Sequence, residues 1–498
     1  MSLRIASTAA FSDWRRIWYA FAAIVVASFI AMLSSAPGWL LVLAGIIAYI
    51  LFAVKSIQEP LFFGVTFLLL METIPPLFFD QTGDTPVYVS FLLIPVGFAI
   101  LIFRHRDLHP GRDPVGSGLV AFLAATAFSL PFAWWFSGVT VGAGSLSRWL
   151  LLAHTAFIYY LIRGGARFEI TGCERWAFRL MLGAATLSAA YGIIDFVWPV
   201  PFPHPAADQF IWLGNVVLRR AQGVFYESSN FANFCGLFLV ITSGALMTRK
   251  ERLMGVARPA LFLLVVVFSV AVVVAFSRST WASVLVALFV FASVTGHVKV
   301  CRAAAIFLAF AAPLLVLWKF SPELWAYFLD ARVGRLADIF ADPNTATSGR
   351  FDTWTRVISI MGDNPQYLLF GIGYKSLAIT RLFHKEIIVD NGYLSLLLET
   401  GVTGLAGFLV FSGKALKTFL CLSRTRDEAL TFWSAALLSI WCGQLVQLLA
   451  VDAYTYWRNM AVFAALAAFT LNRAERSGSL QFNSEARSSR DTRQGRHA

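Results

Sequence analysis

The sequence predicts an all-α polytopic membrane protein of about fourteen transmembrane helices, and three observations carry that prediction. Of its 498 residues, 58% are hydrophobic and 14% charged, with a mean hydropathy of +0.69. Apolar runs of about 17 residues or more, long enough to cross a bilayer, recur along the chain. Basic residues fall in every second loop between those runs, the pattern expected when such loops are cytoplasmic. A soluble chain of this length carries more charge. Helices satisfy their own backbone groups in hydrocarbon. A membrane β-barrel would need short alternating strands, and the sequence reads without strands.

The spans read at 17–34, 38–54, 60–79, 87–103, 115–136, 145–162, 176–198, 228–247, 259–276, 280–296, 301–319, 392–413, 430–450 and 457–472. The first run is long for a signal-peptide core and reads as an uncleaved span. Before it stand Arg4, Arg15 and Arg16. Later loops of the same parity hold Arg163, Arg167 and Arg175, then Arg249, Lys250, Arg252 and Arg258, then Lys299 and Arg302, then Lys414, Lys417, Arg424 and Arg426. Both termini are therefore expected in the cytoplasm of a bacterial inner membrane. The net charge of +12 follows from that asymmetry and does not call for nucleic acid. Five cysteines without a CxxC spacing give no case for structural disulfides or a cysteine metal site.

The chain divides into N-terminal helices (1–199), central helices (200–319), a large periplasmic loop (320–391), C-terminal helices (392–472) and a basic cytoplasmic tail (473–498) that reads as disordered. In the large loop, "SGRFDTWTRVISIMGDNP" places Trp354, Val357, Ile358 and Met361 on one helical face. Ser348 is the expected N-cap, and Asp363-Asn364-Pro365 the stop. The helix is expected on the membrane surface or over a cavity.

Several arginines stand on the outer side, against the rule: Arg148, Arg219, Arg220, Arg278, Arg332, Arg335, Arg350, Arg356, Arg381 and Arg458. A single one is explained as an interfacial side chain snorkelling to water. As a group they suit an anionic lipid headgroup, because guanidinium grips phosphate oxygens bidentately and keeps its proton. A lipid diphosphate supplies such oxygens at this depth. Four acids are also out of place: Glu72, Glu227, Asp390 and Glu399. Each is a candidate general base or arginine partner; for Glu72 and Glu399, pairing between helices fits as well as catalysis.

Four stretches together resemble the O-antigen ligase and Wzy-type polymerase superfamily: "GVFYESSNFANF" (223–234), "FSRSTWASVLV" (276–286), "SGRFDTWTRVISIMGDNPQYLLFGIGYKS" (348–376) and "DNGYLSLLLETGVTGL" (390–405). The likeness covers about residues 210 to 410; before that only the topology is similar. It implies a GT-C-like helical fold and glycosyl transfer from an undecaprenyl diphosphate-linked oligosaccharide on the periplasmic face, with no nucleotide sugar, cofactor or metal. The family's periplasmic arginines correspond to Arg278 and Arg350, and to Arg219 or Arg220. Ligases of the family carry His-Asn where this chain has Asp390-Asn391; the nearest histidine is His384. That departure favours an exopolysaccharide or O-antigen polymerase over a ligase.

The implied mechanism has Arg278 and Arg350 hold the donor diphosphate, with Asn391 beside them, while Asp390 or Glu227 takes the proton of the attacking acceptor hydroxyl. Trp354, Tyr374 and Tyr393 are expected to stack on sugar rings or to anchor at the interface. Expected partners are the bilayer, the lipid-linked oligosaccharide and, as candidates, a chain-length regulator and a flippase. A transporter would show inverted repeats and broken mid-membrane helices. A non-catalytic assembly subunit would not need these arginines and an acid together.

Overall fold

The computed structural model describes residues 38–75, 89–104, 113–165, 173–198, 209–213, 216–225, 227–296, 344, 349–383 and 387–479. The spans expected at 17–34 and 301–319 lie outside them, as do Arg332, Arg335, Ser348 and His384. The described helices are α1 (Gly38–Gln58), α2 (Pro60–Thr73), α3 (Ile94–Arg104), α4 (Pro114–Ala127), α5 (Leu130–Ser137), α6 (Val139–Gly165), α7 (Cys173–Val197), α8 (Ser228–Thr248), α9 (Glu251–Met254), α10 (Arg258–Val274), α11 (Arg278–Val294), α12 (Arg350–Asp363), α13 (Pro365–Phe370), α14 (Gly392–Leu422), α15 (Glu428–Gln447) and α16 (Trp457–Arg476). Among the described residues, five segments are long and apolar enough to cross a membrane by themselves: Pro114–Ser137, Arg175–Val197, Ser228–Thr248, Gly392–Leu422 and Glu428–Gln447. The chain is a multi-pass, predominantly helical membrane protein.

Local chemistry sets the helix ends. Asp113 caps α4, its Oδ1 accepting from the Gly116 N–H at 2.7 Å, with Pro114 in the first turn. Asp427 caps α15 through the N–H groups of Ala429 and Leu430, both at 2.9 Å. The run read as one span at 115–136 is two helices, broken at Phe128-Ser129 ahead of Pro131. Around the bundle, α1 turns Ile46, Ile50, Leu51 and Val54 outward, and α14 does so with Val402, Leu409 and Val410. On a water-soluble protein such faces would drive aggregation; here they suit lipid.

Packing inside is close. α4 lies against α14, and a Cβ on Gly407 would stand 2.6 Å from Ala125 Cβ, one on Gly118 3.0 Å from Phe411 Cα. Small residues at this crossing let the backbones approach, the usual way membrane helices gain van der Waals contact. α8 is the central helix, 89% of its span being buried.

A polar ladder ties α8 to its neighbours. Asn459 Nδ2 donates to Asn233 Oδ1 at 2.7 Å, Asn233 donates to Gln447, and Gln447 Nε2 donates to Thr280 Oγ1 at 3.0 Å. These residues come from α16, α8, α15 and α11. Gln447→Ala strands the amide of Asn233 among apolar side chains. It should cost about 1–3 kcal/mol, read as a lower unfolding temperature in detergent, with Gln447→Met costing as much because it fills space without bonding. Unchanged stability in both variants would show the ladder to be energetically idle.

One two-stranded element was not expected. Phe210–Leu213 (β1) and Val216–Arg219 (β2) pair antiparallel in the register Phe210↔Arg219 and Leu213↔Val216. The signal was present as "FIWL" and "VVLR" flanking Gly-Asn. The hairpin is an appendage to the bundle, not part of a barrel.

Candidate functional site

The ends of α7, α8, α10, α11, α15 and α16 that carry no basic loop come together, and arginines expected on the outer side meet acids there. The β-hairpin sorts two neighbouring arginines. Arg219 NH1 donates to Asp195 Oδ1 at 2.8 Å, an ion pair whose side chains are 8% and 0% exposed. That pair joins the hairpin to the end of α7. Arg220 turns the other way. Its backbone N–H donates to the Gln209 carbonyl at 2.8 Å, and its Nε to the Ala275 carbonyl at 2.9 Å. Ala221 N–H donates to Val274 O at 3.1 Å. These bonds dock the 220–222 segment on the α10–α11 turn.

Phe276 in that turn is left-handed, with φ +51, and Ser277 then takes the N-cap position of α11, so Arg278 begins the helix three residues after the carbonyl that Arg220 holds. Ser277 Oγ donates to Ser229 Oγ at 3.4 Å, and Ser229 lies in the first turn of α8. Arg220 and Arg278 therefore reach the same end of the bundle. Glu227 sits at the N-cap of α8, its backbone carbonyl accepting from Phe231 N–H.

The segment from Arg350 to Asn391 builds the other side. Val357 and Met361 of α12 are buried, with Trp354 packed beside them, against Ile372, Leu377, Ile387, Val389 and Leu398. Ile358 departs from the expected face: it is 56% exposed. The start also differs, because the residue at the cap is Gly349 with φ +83. The stop falls as expected, α12 ending at Asp363 and α13 beginning at Pro365. Trp354 Nε1 donates to the Val389 carbonyl at 2.8 Å, holding the 387–390 segment against α12. Arg350, in the first turn, then donates from Nε to Asp390 Oδ2 at 3.0 Å. Asp390 is itself left-handed, with φ +46. An aspartate held there is a strained feature of the kind that collects at functional sites.

Asn391, next in sequence, accepts from the N–H groups of Tyr393 and Leu394, both at 3.1 Å. This is ordinary N-cap chemistry, and it sets the entry of α14. The aromatic residues expected to stack on sugar are placed as packing groups: Tyr374 is 2% exposed, and the Tyr393 hydroxyl donates to Leu445 O at 2.8 Å.

Lys375 is the residue that sequence reasoning missed. It lies in "GIGYKS", a loop locked to a break in α14 at Gly401, where φ is +67. The break frees two helix carbonyls, and the loop takes them: Ile372 N–H donates to Leu398 O at 3.1 Å, and Gly373 N–H to Glu399 O at 2.9 Å. A Cβ on Gly371 would stand 2.3 Å from Glu399 O. Arg148 NH1 donates to the Lys375 carbonyl at 2.8 Å, and Ser145 Oγ to the Tyr374 carbonyl at 2.7 Å. Glu399 Oε1 accepts from Leu377 N–H at 3.3 Å, and its Oε2 from the Tyr454 hydroxyl at 3.4 Å. Arg148 and Glu399 are thus braces for the loop. Lys375 Nζ then donates to Asp452 Oδ2 at 3.1 Å, an oxygen that also accepts from Ser395 Oγ at 3.1 Å.

Two further outliers are structural. Arg458 NH1 donates to Val224 O at 2.9 Å and NH2 to Ile74 O at 2.8 Å, with its guanidinium 4.8 Å from the Phe225 ring centroid. Glu72 is buried in the electrostatic reach of Arg458. Arg356 NH2 donates to Phe383 O at 3.3 Å, and Arg381 is exposed.

Electrostatics join what remains into one cluster. Burial pushes the Glu227 carboxyl up; Lys375 pulls it back, Asp390 and Asp452 raise it further, and the Tyr456 hydroxyl, donating to it, lowers it, leaving it above the ordinary carboxylate value. Burial alone would lower Lys375, but Asp452, Glu399 and Glu227 push it up to about 12. Burial depresses Arg220, Tyr456 and Glu227 restore it, and Arg350 depresses it again. Arg220, Arg350 and Lys375 therefore stand within electrostatic reach of Glu227, Asp390 and Asp452 as one linked cluster: cations beside a carboxyl raised above its ordinary value. Such a set can hold an oxyanion and move a proton.

Residues 263–409 match the family model described as O-antigen ligase. No curated protein matches the chain. The matched segment contains Arg278, Arg350, Lys375 and Asp390; Arg220 and Glu227 precede it, and Asp452 and Tyr456 follow it.

Proposed function

We propose, from the premise that this chain is a member of the O-antigen ligase and Wzy-type superfamily, that it polymerises undecaprenyl diphosphate-linked oligosaccharide repeat units on the periplasmic face of the inner membrane. The observation that carries this reading is the convergence of Arg220 and Lys375 on half-buried Glu227, with Arg350 beside Arg220, at one end of the helical bundle. In the reaction, an acceptor hydroxyl attacks the anomeric carbon of the donor sugar. The bond from that carbon to the phosphate oxygen breaks, and the diphosphate leaves with its electron pair. Arg350, Arg220, Arg278 and Lys375 stabilise the charge it gains, where preorganised donors contribute most. Diphosphate needs no proton to depart. Glu227 takes the proton from the attacking hydroxyl. Direct displacement inverts the anomeric centre.

Asp390 changes place in this mechanism. The sequence makes it the first candidate base, but its carboxylate accepts from Arg350 and is 38% exposed. A carboxylate bonded to that guanidinium at the start of α14 is placed to aim the cation. Glu227 is desolvated, and its raised value brings it toward the operating pH, where a general base works best.

Transfer to a different acceptor, as in a ligase, is the second reading, and the description of the matched family favours it. Purified protein given only lipid-linked repeat units separates the two. A polymerase yields a ladder of longer chains; a ligase yields none until its other acceptor is added. No product under either condition overturns both readings.

The orientation is testable separately. A reporter fused after Arg252 should read cytoplasmic, and one after Thr345 periplasmic. The basic residues Arg175, Arg252 and Arg473 lie at the bundle end opposite Glu227, which supports that arrangement. A cytoplasmic signal from the Thr345 fusion would place the cluster on the side away from lipid-linked donors and end the proposal.

A further inference from the structure

At the far end of the bundle from Glu227, a cavity of about 80 Å³ opens between α7, α9, α15 and α16. Its wall is apolar and aromatic. Phe178 and Trp433 meet edge to face with ring centroids 4.7 Å apart, and Leu466 and Phe469 continue the surface. Arg175 and Arg473 line the same cavity. Arg175 is exposed. Arg473 is held by Asp427, Nε and NH2 donating to both carboxylate oxygens at 3.0 to 3.3 Å, and its side chain stays 40% exposed. The N–H groups of Ala429 and Leu430 also reach Asp427, so that despite partial burial its carboxyl is held below the usual range. Arg473 is therefore fixed in place, while Arg175 presents its charge to solvent.

A soluble anion would use the arginines but not an aromatic wall. An apolar molecule would use the wall but not the arginines. The combination fits an amphiphile with an anionic head. Guanidinium holds phosphate oxygens with directed bonds, and basic pockets between membrane helices bind anionic headgroups. A water-sized site needs about 10–15 Å³ on this scale of volume, so the cavity has room for several heavy atoms. We propose that this cavity binds an anionic phospholipid, its phosphate on Arg175 beside Arg473 and the start of an acyl chain against Phe178 and Trp433. The site is independent of the glycosyl-transfer reading. Its consequence is mechanical: the lipid braces α7 against α15 and α16, the same helices whose opposite ends carry Asp195, Asp452 and Tyr456.

The experiment measures lipid bound to purified full-length protein by native mass spectrometry, with melting temperature alongside, after delipidation in a neutral detergent. Phosphatidylglycerol should bind and raise the melting temperature; phosphatidylcholine, with the same chains and a neutral head, should do so less. Arg175→Gln, an exposed change that leaves the fold alone, should weaken phosphatidylglycerol binding roughly five-fold. Ala429→Phe should block it by filling the cavity; Leu253→Trp, from the half-buried rim, fills the same space should Ala429→Phe not fold. Equal binding of the two lipids, or unchanged phosphatidylglycerol binding in Arg175→Gln and the filled variants, overturns the proposal. Inorganic phosphate that reproduces the full stabilisation makes this a free-anion site and overturns it too.

Discussion

Glu227→Gln should slow chain growth by about 10²- to 10⁴-fold, the range expected on losing a general base, with the amount of protein in the membrane unchanged. Glutamine keeps the size of the side chain and can still accept from Tyr456, so the cap of α8 and the cluster around it persist. What it loses is the capacity to take a proton. The pH profile gives an independent reading. Glu227 must be ionised to act, and burial holds its folded value above the ordinary carboxylate value. Activity should therefore fall as pH drops through that raised value, at a higher pH than an exposed glutamate would give, and level off above it. Glu227→Gln should leave a residual rate without this limb. Near-normal growth by Glu227→Gln would remove it from the chemistry and make Asp390 the next base to test.

The helical scaffold was legible because membrane physics is strict. Apolar length and loop charge locate spans without knowledge of packing, and the expected segments at 38–54, 228–247 and 457–472 coincide closely with α1, α8 and α16. The errors have local causes. α14 was expected to end near residue 413, because Lys414 and Lys417 read as a loop. In the structure the helix continues to Leu422, and Lys414 Nζ donates to Ser117 Oγ of α4 at 3.0 Å. A lysine with a partner on a neighbouring helix does not end a span. α6 starts at Val139 although "SGVTVGAG" falls between the spans read at 115–136 and 145–162, since a glycine-rich stretch can stay helical where other helices pack on it.

The candidate site was legible only where a charge broke a rule. Arg220, Arg278, Arg350, Glu227 and Asp390 stood out because each is costly where it lies. The sequence left Arg219 and Arg220 as equal candidates. Their backbone directions separate them: Arg219 faces Asp195, and Arg220 faces the cluster. Lys375 and Asp452 are 77 positions apart in sequence, and nothing local announces their pairing. It depends on the break in α14 at Gly401 and on the "GIGYKS" loop that fills it. Gly401, preceded 30 positions earlier by Gly371 and then by Gly373, is a weak signal without the fold, and the tight 448–456 turn carrying Asp452 and Tyr456 reads as an ordinary connection.

Arg350→Ala should lower turnover by about 10²- to 10³-fold, as expected on removing one donor to a developing oxyanion. Arg350→Lys should recover little of it, because an ammonium keeps the charge but not the planar two-point geometry. Asp390 gives this prediction its sharper form. Its Oδ2 accepts from Arg350 Nε at 3.0 Å, and its left-handed backbone sets that carboxylate at the start of α14. If it acts by aiming the guanidinium, Asp390→Asn should weaken donor binding more than it lowers turnover at saturating donor. It should also add nothing in an Arg350→Ala background, since two residues serving one function are not additive. Asp390→Asn costing as much as Glu227→Gln, and adding fully to Arg350→Ala, would instead make Asp390 a reacting group. Chain growth by each variant, measured at several donor concentrations with equal protein in the membrane, decides between a residue that takes the proton and one that points the cation at the leaving group.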